Sequence, residues 1–314
     1  MSALTRDESA VEEAGILQMA REAADKIEEP LDWRRRFALE SRRFNAWWEG
    51  YAFDASEVRA LLAEEALSDR APAGPPEQNI ALSIWGEDRL EPGDPAWTMR
   101  HARTLGVTLK ARIVVLGAGL GGPVRDLKNG TRWKLSGYAR IAEPIKSLDI
   151  IPYDAALSRI NRASADGGIS FFELHRDPDP AMMALFAAEL VKANAPFAFV
   201  DFTVARRGAR LRPCFPEPWS GAPRLADQLA DLIDKSGFRV NDVVDETRAF
   251  LPLVSRGWSH WRAAYARVRD ITNRRQRAEH LRLLAQYAHL WAERFDAIKA
   301  GQLQVTRILA RRKG

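Results

Sequence analysis

From residue 11 to residue 67, apolar positions recur at the three- and four-residue spacing of amphipathic helices. They run Ile16, Met19 and Ala20, then Trp33, Phe37, Phe44, Trp47 and Trp48, then Val58, Leu61 and Leu62. Glu and Arg fill the gaps, so the pattern predicts two or three helices with one apolar stripe each. The Trp47-Trp48 pair reads as packing onto the rest of the chain. Ala71-Pro-Ala-Gly-Pro-Pro breaks the periodicity and marks a linker. Beyond Arg100 the pattern changes to short apolar runs alternating with helical stretches. Strands are predicted at 112–116, 133–138, 148–152, 169–174, 196–202, 238–244 and 303–311, each rich in β-branched or aromatic residues. Helices are predicted at 180–193 and 225–236, and long ones between 259 and 300. This alternation predicts an α/β fold, a mostly parallel sheet with helices on both faces.

Charge divides the chain at nearly the same place. The 314 residues carry a net charge of +5, but residues 1–100 hold 12 Lys and Arg against 21 Asp and Glu. The remainder is correspondingly basic, which suggests an acidic helical extension over 1–77 and a larger body over 78–314. A helical insertion is expected within that body at about 247–300. The longest uncharged run, 113–124, has 12 residues. A bilayer span needs about 20 apolar ones, so no membrane span is expected. The acidic start resembles no secretory signal, and one cysteine, Cys214, forms no internal disulfide, so a cytoplasmic location is expected. His101, His260, His280 and His289 show no metal-ligand spacing, and no metal site is expected. The arginine-rich stretch 258–294 interleaves Trp258, Trp261, Tyr265 and Tyr287 at helical spacing. That spacing favours packed aromatics and arginines paired with acidic surface over nucleic-acid binding. The acidic helices at 1–77 are then expected to dock on the chain's own body, on a second copy as a homodimer, or on another protein.

The sharpest local signal is Val114-Val-Leu-Gly-Ala-Gly-Leu-Gly-Gly-Pro, a strand running into Gly117, Gly119, Gly121 and Gly122 with a helix starting near Pro123. Glycines here allow a tight turn and let backbone N–H groups approach a ligand, beside the partial positive charge of a helix N-terminus. No Gly-Lys-Ser/Thr ending follows, so the loop is not a P-loop.

Three segments together carry a resemblance: Trp85-Gly-Glu-Asp-Arg-Leu-Glu-Pro-Gly-Asp, His101-Ala-Arg-Thr-Leu-Gly-Val and the glycine loop from Leu116. They resemble the class I S-adenosylmethionine-dependent methyltransferases, and most closely the branch of small-molecule, amine-type enzymes. The resemblance runs from about residue 84 to the C-terminus. It implies a Rossmann-like sheet with one antiparallel last strand, S-adenosylmethionine as cofactor and a small-molecule acceptor. It further implies that Gly117, Ala118, Gly119 and Gly121 hold the cofactor, with Trp85 covering it and Asp154 near the adenine. Two departures stand out. Ala139 occupies the place of the ribose-binding carboxylate, and only residues 140–148 separate the second and third strands. Acceptor chemistry is implied at the end of the fourth strand, where His175 is the candidate base, with Tyr138, Glu173 and Asp177 near it. The same segment also reads as a polar loop with Asp177 or Asp179 capping the helix that starts at Pro180. The reading is therefore a methyltransferase; the alternative is a catalytically inactive methyltransferase-like protein acting as a binding, regulatory or scaffold subunit.

Overall fold

The structure, a computed structural model, describes residues 76–314 except 87, 141–144, 154–161, 178, 210 and 212–222. The expectations for the acidic helices before residue 76, for Trp47-Trp48, for Asp154 and for Cys214 lie outside the described residues. Contacts divide the chain into two compact units, Ala81–His260 with Glu293–Gly314, and Met1–Ile80 with Trp261–Ala292.

The first unit holds a seven-stranded sheet: β1 (Arg112–Leu116), β2 (Lys134–Ala139), β3 (Ile150–Pro152), β4 (Gly167–Phe171), β5 (Pro196–Val204), β6 (Phe238–Asp245) and β7 (Leu303–Arg312). Their spatial order is β3-β2-β1-β4-β5-β7-β6. The first five are mutually parallel, and β7 lies antiparallel between β5 and β6. Four of the five residues of β1 are buried, as are eight of the nine in β5. Burial on both faces explains why these strands read as continuous apolar runs rather than alternations.

Helices α1 (Pro76–Trp85), α2 (Pro95–Arg103), α3 (Gly122–Gly130), α4 (Pro180–Leu190), α5 (Ala226–Lys235) and α6 (Thr247–Trp258) accompany the strands. On one face Phe197, Phe199, Phe238 and Ile308 form a core with Met183, Ala184 and Ala187 of α4 and Leu229 and Ile233 of α5. On the other, Phe250 of α6 meets Trp97 of α2 at 5.6 Å and Phe172 at 5.4 Å between ring centroids. Asp179 caps α4, its Oδ1 accepting from the N–H groups of Ala181 and Met182, both at 3.1 Å, so the capping reading holds for Asp179. The fourth strand starts and stops earlier than the sequence suggested: it ends at Phe171, and Leu174–Arg176 is a short 3-10 turn. Between β2 and β3 only another 3-10 turn, Lys146–Leu148, is described.

In the second unit, α7 (Trp261–Arg269) buries Trp261, Ala264 and Val268, while Arg262, Arg267 and Arg269 face solvent. Most of α8 (Arg274–Lys299) belongs to this unit too, burying His280, Leu284, Ala288 and Trp291 along one stripe. Of the aromatics named in this basic stretch, Trp258 and Trp261 are buried, while Tyr265 and Tyr287 are half-buried.

Candidate active site

The sheet order reverses between β1 and β4, because β2 and β3 lie to one side and β4 and β5 to the other. Open parallel sheets bind ligands in the crevice outside the carboxyl ends of the strands at such a switch point. A cleft opens there. Gly117, Ala118 and Gly119 line it from the turn after β1, Arg140 from the end of β2, and Phe171, Phe172 and Glu173 from the end of β4. Trp97 and Thr98 of α2 form its back, and residues 88–92 form its lip together with Arg176.

The glycine turn is dictated by space as much as by conformation. Gly117 (φ +68°) could carry no side chain: a Cβ there would lie 2.8 Å from Cγ of Glu173 and closer still to the Phe171 carbonyl oxygen. The turn's backbone is fixed by three bonds. Gly117 N–H donates to the Tyr153 hydroxyl (3.0 Å), Ala118 N–H to the Tyr138 carbonyl (3.1 Å) and Gly122 N–H to the Asp88 carbonyl (2.9 Å).

The lip is tied to its surroundings by ion pairs: Asp88 with Arg125, Arg89 with Asp126, and Glu91 with Arg176. Asp126 also accepts from the Thr98 hydroxyl at 2.6 Å, which joins α2 and α3 to the same network. At the end of β4, Phe172 adopts φ +54°, a left-handed conformation that costs a branched or bulky residue about 1–3 kcal/mol. Its N–H nevertheless bonds the Val200 carbonyl at 2.8 Å, so the neighbouring strand holds the turn in place.

The next residue, Glu173, is only 4% exposed. Its Oε2 accepts from Nε of Arg140 at 3.0 Å, while Nη2 of Arg140 reaches Asp177 at 2.8 Å. Burial, reinforced by Asp201 and Asp177, pushes the Glu173 carboxyl up to about 7 against the opposing pull of Arg140. Tyr153, whose ring lies under the Arg140 guanidinium at 5.7 Å, has its phenol raised well above the usual range, first by burial and then by Glu173.

The structure brings Gly117, Ala118, Gly119 and Glu173 to the cleft and places Gly121, Trp85, Tyr138 and His175 off its lining. Gly121 (φ +112°) packs against the β2–β3 connection, where a Cβ would meet Ile150 at 3.2 Å and Leu148 closer. Trp85 packs against Gly257 with its ring 6.1 Å from that of Trp258, and does not line the cleft. For Tyr138, the strand's alternation turns its ring to the α4 side, against Phe186 at 5.5 Å.

His175 lies apart from the lining too. It is 3% exposed, its Nδ1 lies 2.5 Å from Asp201 Oδ1 and its ring stands edge-on to Phe202, so it does not line the cleft. Asp201 in turn accepts from the Leu174 and Phe202 N–H groups, both at 2.7 Å, which makes this pair a brace between β5 and the 3-10 turn. Sequence reasoning gave no site role to Arg140, Tyr153 or residues 88–92, although 88–92 lie within the first segment that carries the resemblance and Arg140 directly follows Ala139. Among the described residues no group of three or more His, Cys, Asp or Glu is placed to hold a metal ion, and no helix is long and apolar enough to cross a membrane.

A seven-stranded sheet in this order, with its antiparallel strand inserted next to the edge and a cleft over a glycine turn at the switch point, is the class I S-adenosylmethionine-dependent methyltransferase fold. No family model matches the sequence, and no curated protein matches it. Solved structures do. Phosphoethanolamine N-methyltransferase 2 of Haemonchus contortus, in complex with S-adenosyl-L-methionine, aligns with a TM-score of 0.60 at 14% identity over 76% of this chain and 57% of that one. This chain therefore spans little more than half of that enzyme. A cyclopropane synthase of Mycobacterium tuberculosis aligns with a TM-score of 0.58 at 12% identity, over 76% of this chain and 95% of that chain. A [4+2]-cyclase aligns with a TM-score of 0.54 at 14% identity, over 78% and 99%. At these identities the likeness is one of fold, and the variety of reactions named among the neighbours shows how little the fold alone fixes the chemistry.

Proposed function

We propose that this protein is an S-adenosylmethionine-dependent methyltransferase acting on a small-molecule acceptor. The observation that carries the reading is the cleft at the β1/β4 switch point, floored by a turn whose glycines keep it free of side chains. S-adenosylmethionine, when bound, supplies an electrophilic methyl group on a sulfonium for in-line displacement. The residues present suit that group in two respects. Gly117, Ala118 and Gly119 present bare backbone to the cleft, and the buried carboxylate of Glu173 lies against that backbone, where a positively charged ligand gains most. They depart from the resemblance in one: Ala139 offers nothing to a ribose hydroxyl. Trp97, Phe171 and Phe172 supply apolar walls that keep water from the reacting centre, and the paired arginines of the lip hold residues 88–92 close to the turn.

The reading is tested by titrating S-adenosylmethionine and S-adenosylhomocysteine calorimetrically and then following transfer of a labelled methyl group to a panel of small amines and acids. Saturable binding of both with transfer to some acceptor supports it. No binding at millimolar ligand sinks it. A silent binding or scaffold protein is favoured by a different observation, the ion pairs of Arg140 with Glu173 and Asp177 at the strand end that lacks the carboxylate. Binding without transfer to any acceptor would favour that second reading.

A further inference from the structure

We infer that Glu173 holds the positive charge of the ligand seated on the Gly117 turn, and that Arg140 is its stand-in partner while no ligand is bound. The inference rests on the cofactor reading above and goes beyond it by assigning the charge recognition to a carboxylate at the end of β4.

Three observations put that carboxylate where it is. Phe172 is held at φ +54° by its bond to Val200, and this turn diverts the chain out of β4 directly before Glu173. Strain of this kind persists only where the surrounding structure enforces it, and it concentrates at functional sites. Gly117 lacks the Cβ that would lie 2.8 Å from Cγ of Glu173, so the side chain rests on the turn itself. Glu173 lines the cleft and is yet almost wholly withdrawn from water.

Charge completes the argument. The groups facing Glu173 are Arg140 from the end of β2, Tyr153 from the end of β3, Asp177 beyond the 3-10 turn, and Asp201 of β5, itself paired with His175. Arg140 is the single cation among the first four, and it is shared between Glu173 and Asp177. One guanidinium facing two carboxylates leaves a net negative site, which a cationic ligand relieves. The side chain of Arg140 is 40% exposed whereas that of Glu173 is 5% exposed, so the arginine sits on the solvent side of the pair. When Glu173 pairs with a ligand, Asp177 still balances Arg140, and no buried charge is left alone. Because burial holds the carboxyl near 7, a cationic ligand must first displace its proton in mildly acidic solution, and binding releases that proton.

Calorimetry on the full chain from pH 5.5 to 7.5 tests this with three probes: S-adenosylmethionine (sulfonium and ammonium), S-adenosylhomocysteine (ammonium only) and 5′-methylthioadenosine (neither). Affinity for the two charged probes should rise about eightfold between pH 5.5 and 6.5 and level off above about 7, with 5′-methylthioadenosine flat throughout. Glu173→Gln should weaken the charged probes at least tenfold at pH 7.5, abolish their pH dependence and leave 5′-methylthioadenosine unchanged. Should that variant fail to fold, as its circular dichroism would show, the wild-type contrast between charged and neutral probes decides alone. Charged probes that bind without pH dependence, or as tightly to Glu173→Gln, overturn the assignment of Glu173 and leave the cofactor reading standing. No binding of any probe to the wild type overturns both.

Discussion

Placing an alanine at Gly117 tests whether the turn is glycine for its shape or for its neighbours. Two costs are separable. A left-handed φ of +68° costs an L-residue about 1–2 kcal/mol wherever it occurs. At this position the new methyl also enters space held by the Phe171 carbonyl and Glu173, and overpacking of that order costs about 1–3 kcal/mol. Together these make about 2–5 kcal/mol for Gly117→Ala. Gly301→Ala is the control: its φ is +60° and nothing lies within 4 Å of the added Cβ, so only the conformational cost applies. The entropy that alanine removes from the unfolded chain enters both variants equally and cancels. Urea unfolding followed by circular dichroism should place Gly117→Ala about 1–3 kcal/mol below Gly301→Ala. In thermal melts, at roughly 2–4 °C per kcal/mol for a chain region of this size, the gap is several degrees. If the two variants unfold together within error, the turn is not packed against the end of β4 as described, and the reasoning that places Glu173 on it fails with it.

Three further outcomes follow from the same geometry. Tyr153→Phe removes the acceptor of the Gly117 N–H, so it should destabilise by about 1–3 kcal/mol in urea unfolding and weaken S-adenosylmethionine binding, whereas a surface Tyr→Phe change should do neither. His101 is fully buried, neither ring nitrogen has a hydrogen-bond partner among the described residues, and burial followed by Arg307 and Arg100 lowers its pKa to about 3. The unfolded chain takes up that proton near 6.5 and the folded one does not, so this group's contribution to stability falls as pH drops below about 6.5. His101→Leu should be close to neutral at pH 7.5 and should gain about 2 kcal/mol on wild type by pH 5 in matched urea titrations; parallel pH profiles would refute it. Glu246 is buried and bonds both Arg100 (2.9 Å) and Arg307 (3.2 Å); Glu246→Ala leaves the largely buried Arg307 with Asp242 (3.3 Å) as its ion partner and should cost about 1.5–3 kcal/mol, read as a lowered urea midpoint.

Much of the fold was legible because its signals are local. Runs such as Pro196-Phe-Ala-Phe-Val-Asp-Phe have few homes other than a buried strand, and the glycines after Leu116 announce a turn that side chains would obstruct. The site was legible mainly where it is backbone. Gly117, Ala118 and Gly119 were found because glycine spacing is written in the sequence, and Glu173 because it follows a strand; that Arg140 and Tyr153 meet it depends on the pairing of β2 with β3 and of β1 with β4. Strands buried on both faces show no alternation, so nothing along the chain says which face Tyr138 points to. Trp85 and His175 lie apart from the cleft lining for a related reason. The partners that claim them, Gly257 for the indole and Asp201 for the imidazole, lie far away in sequence, and an aromatic or a histidine looks the same beside a ligand or inside a core.

The position of β7 has a consequence for synthesis. The strand that fills the gap between β5 and β6 is made about a hundred residues after β5 leaves the ribosome. At ordinary elongation rates of about 5–20 residues per second, the Phe-rich edge of β5 is without its neighbour for roughly 5–20 seconds. During that interval it is an apolar strand with open hydrogen-bonding groups, the kind of edge that recruits other chains. Slower growth temperatures and holdase chaperones should therefore raise the soluble yield of this protein. A stop codon placed before Leu303 should leave the nascent sheet open and shift the product to the insoluble fraction, even though every residue of the cleft described above precedes it.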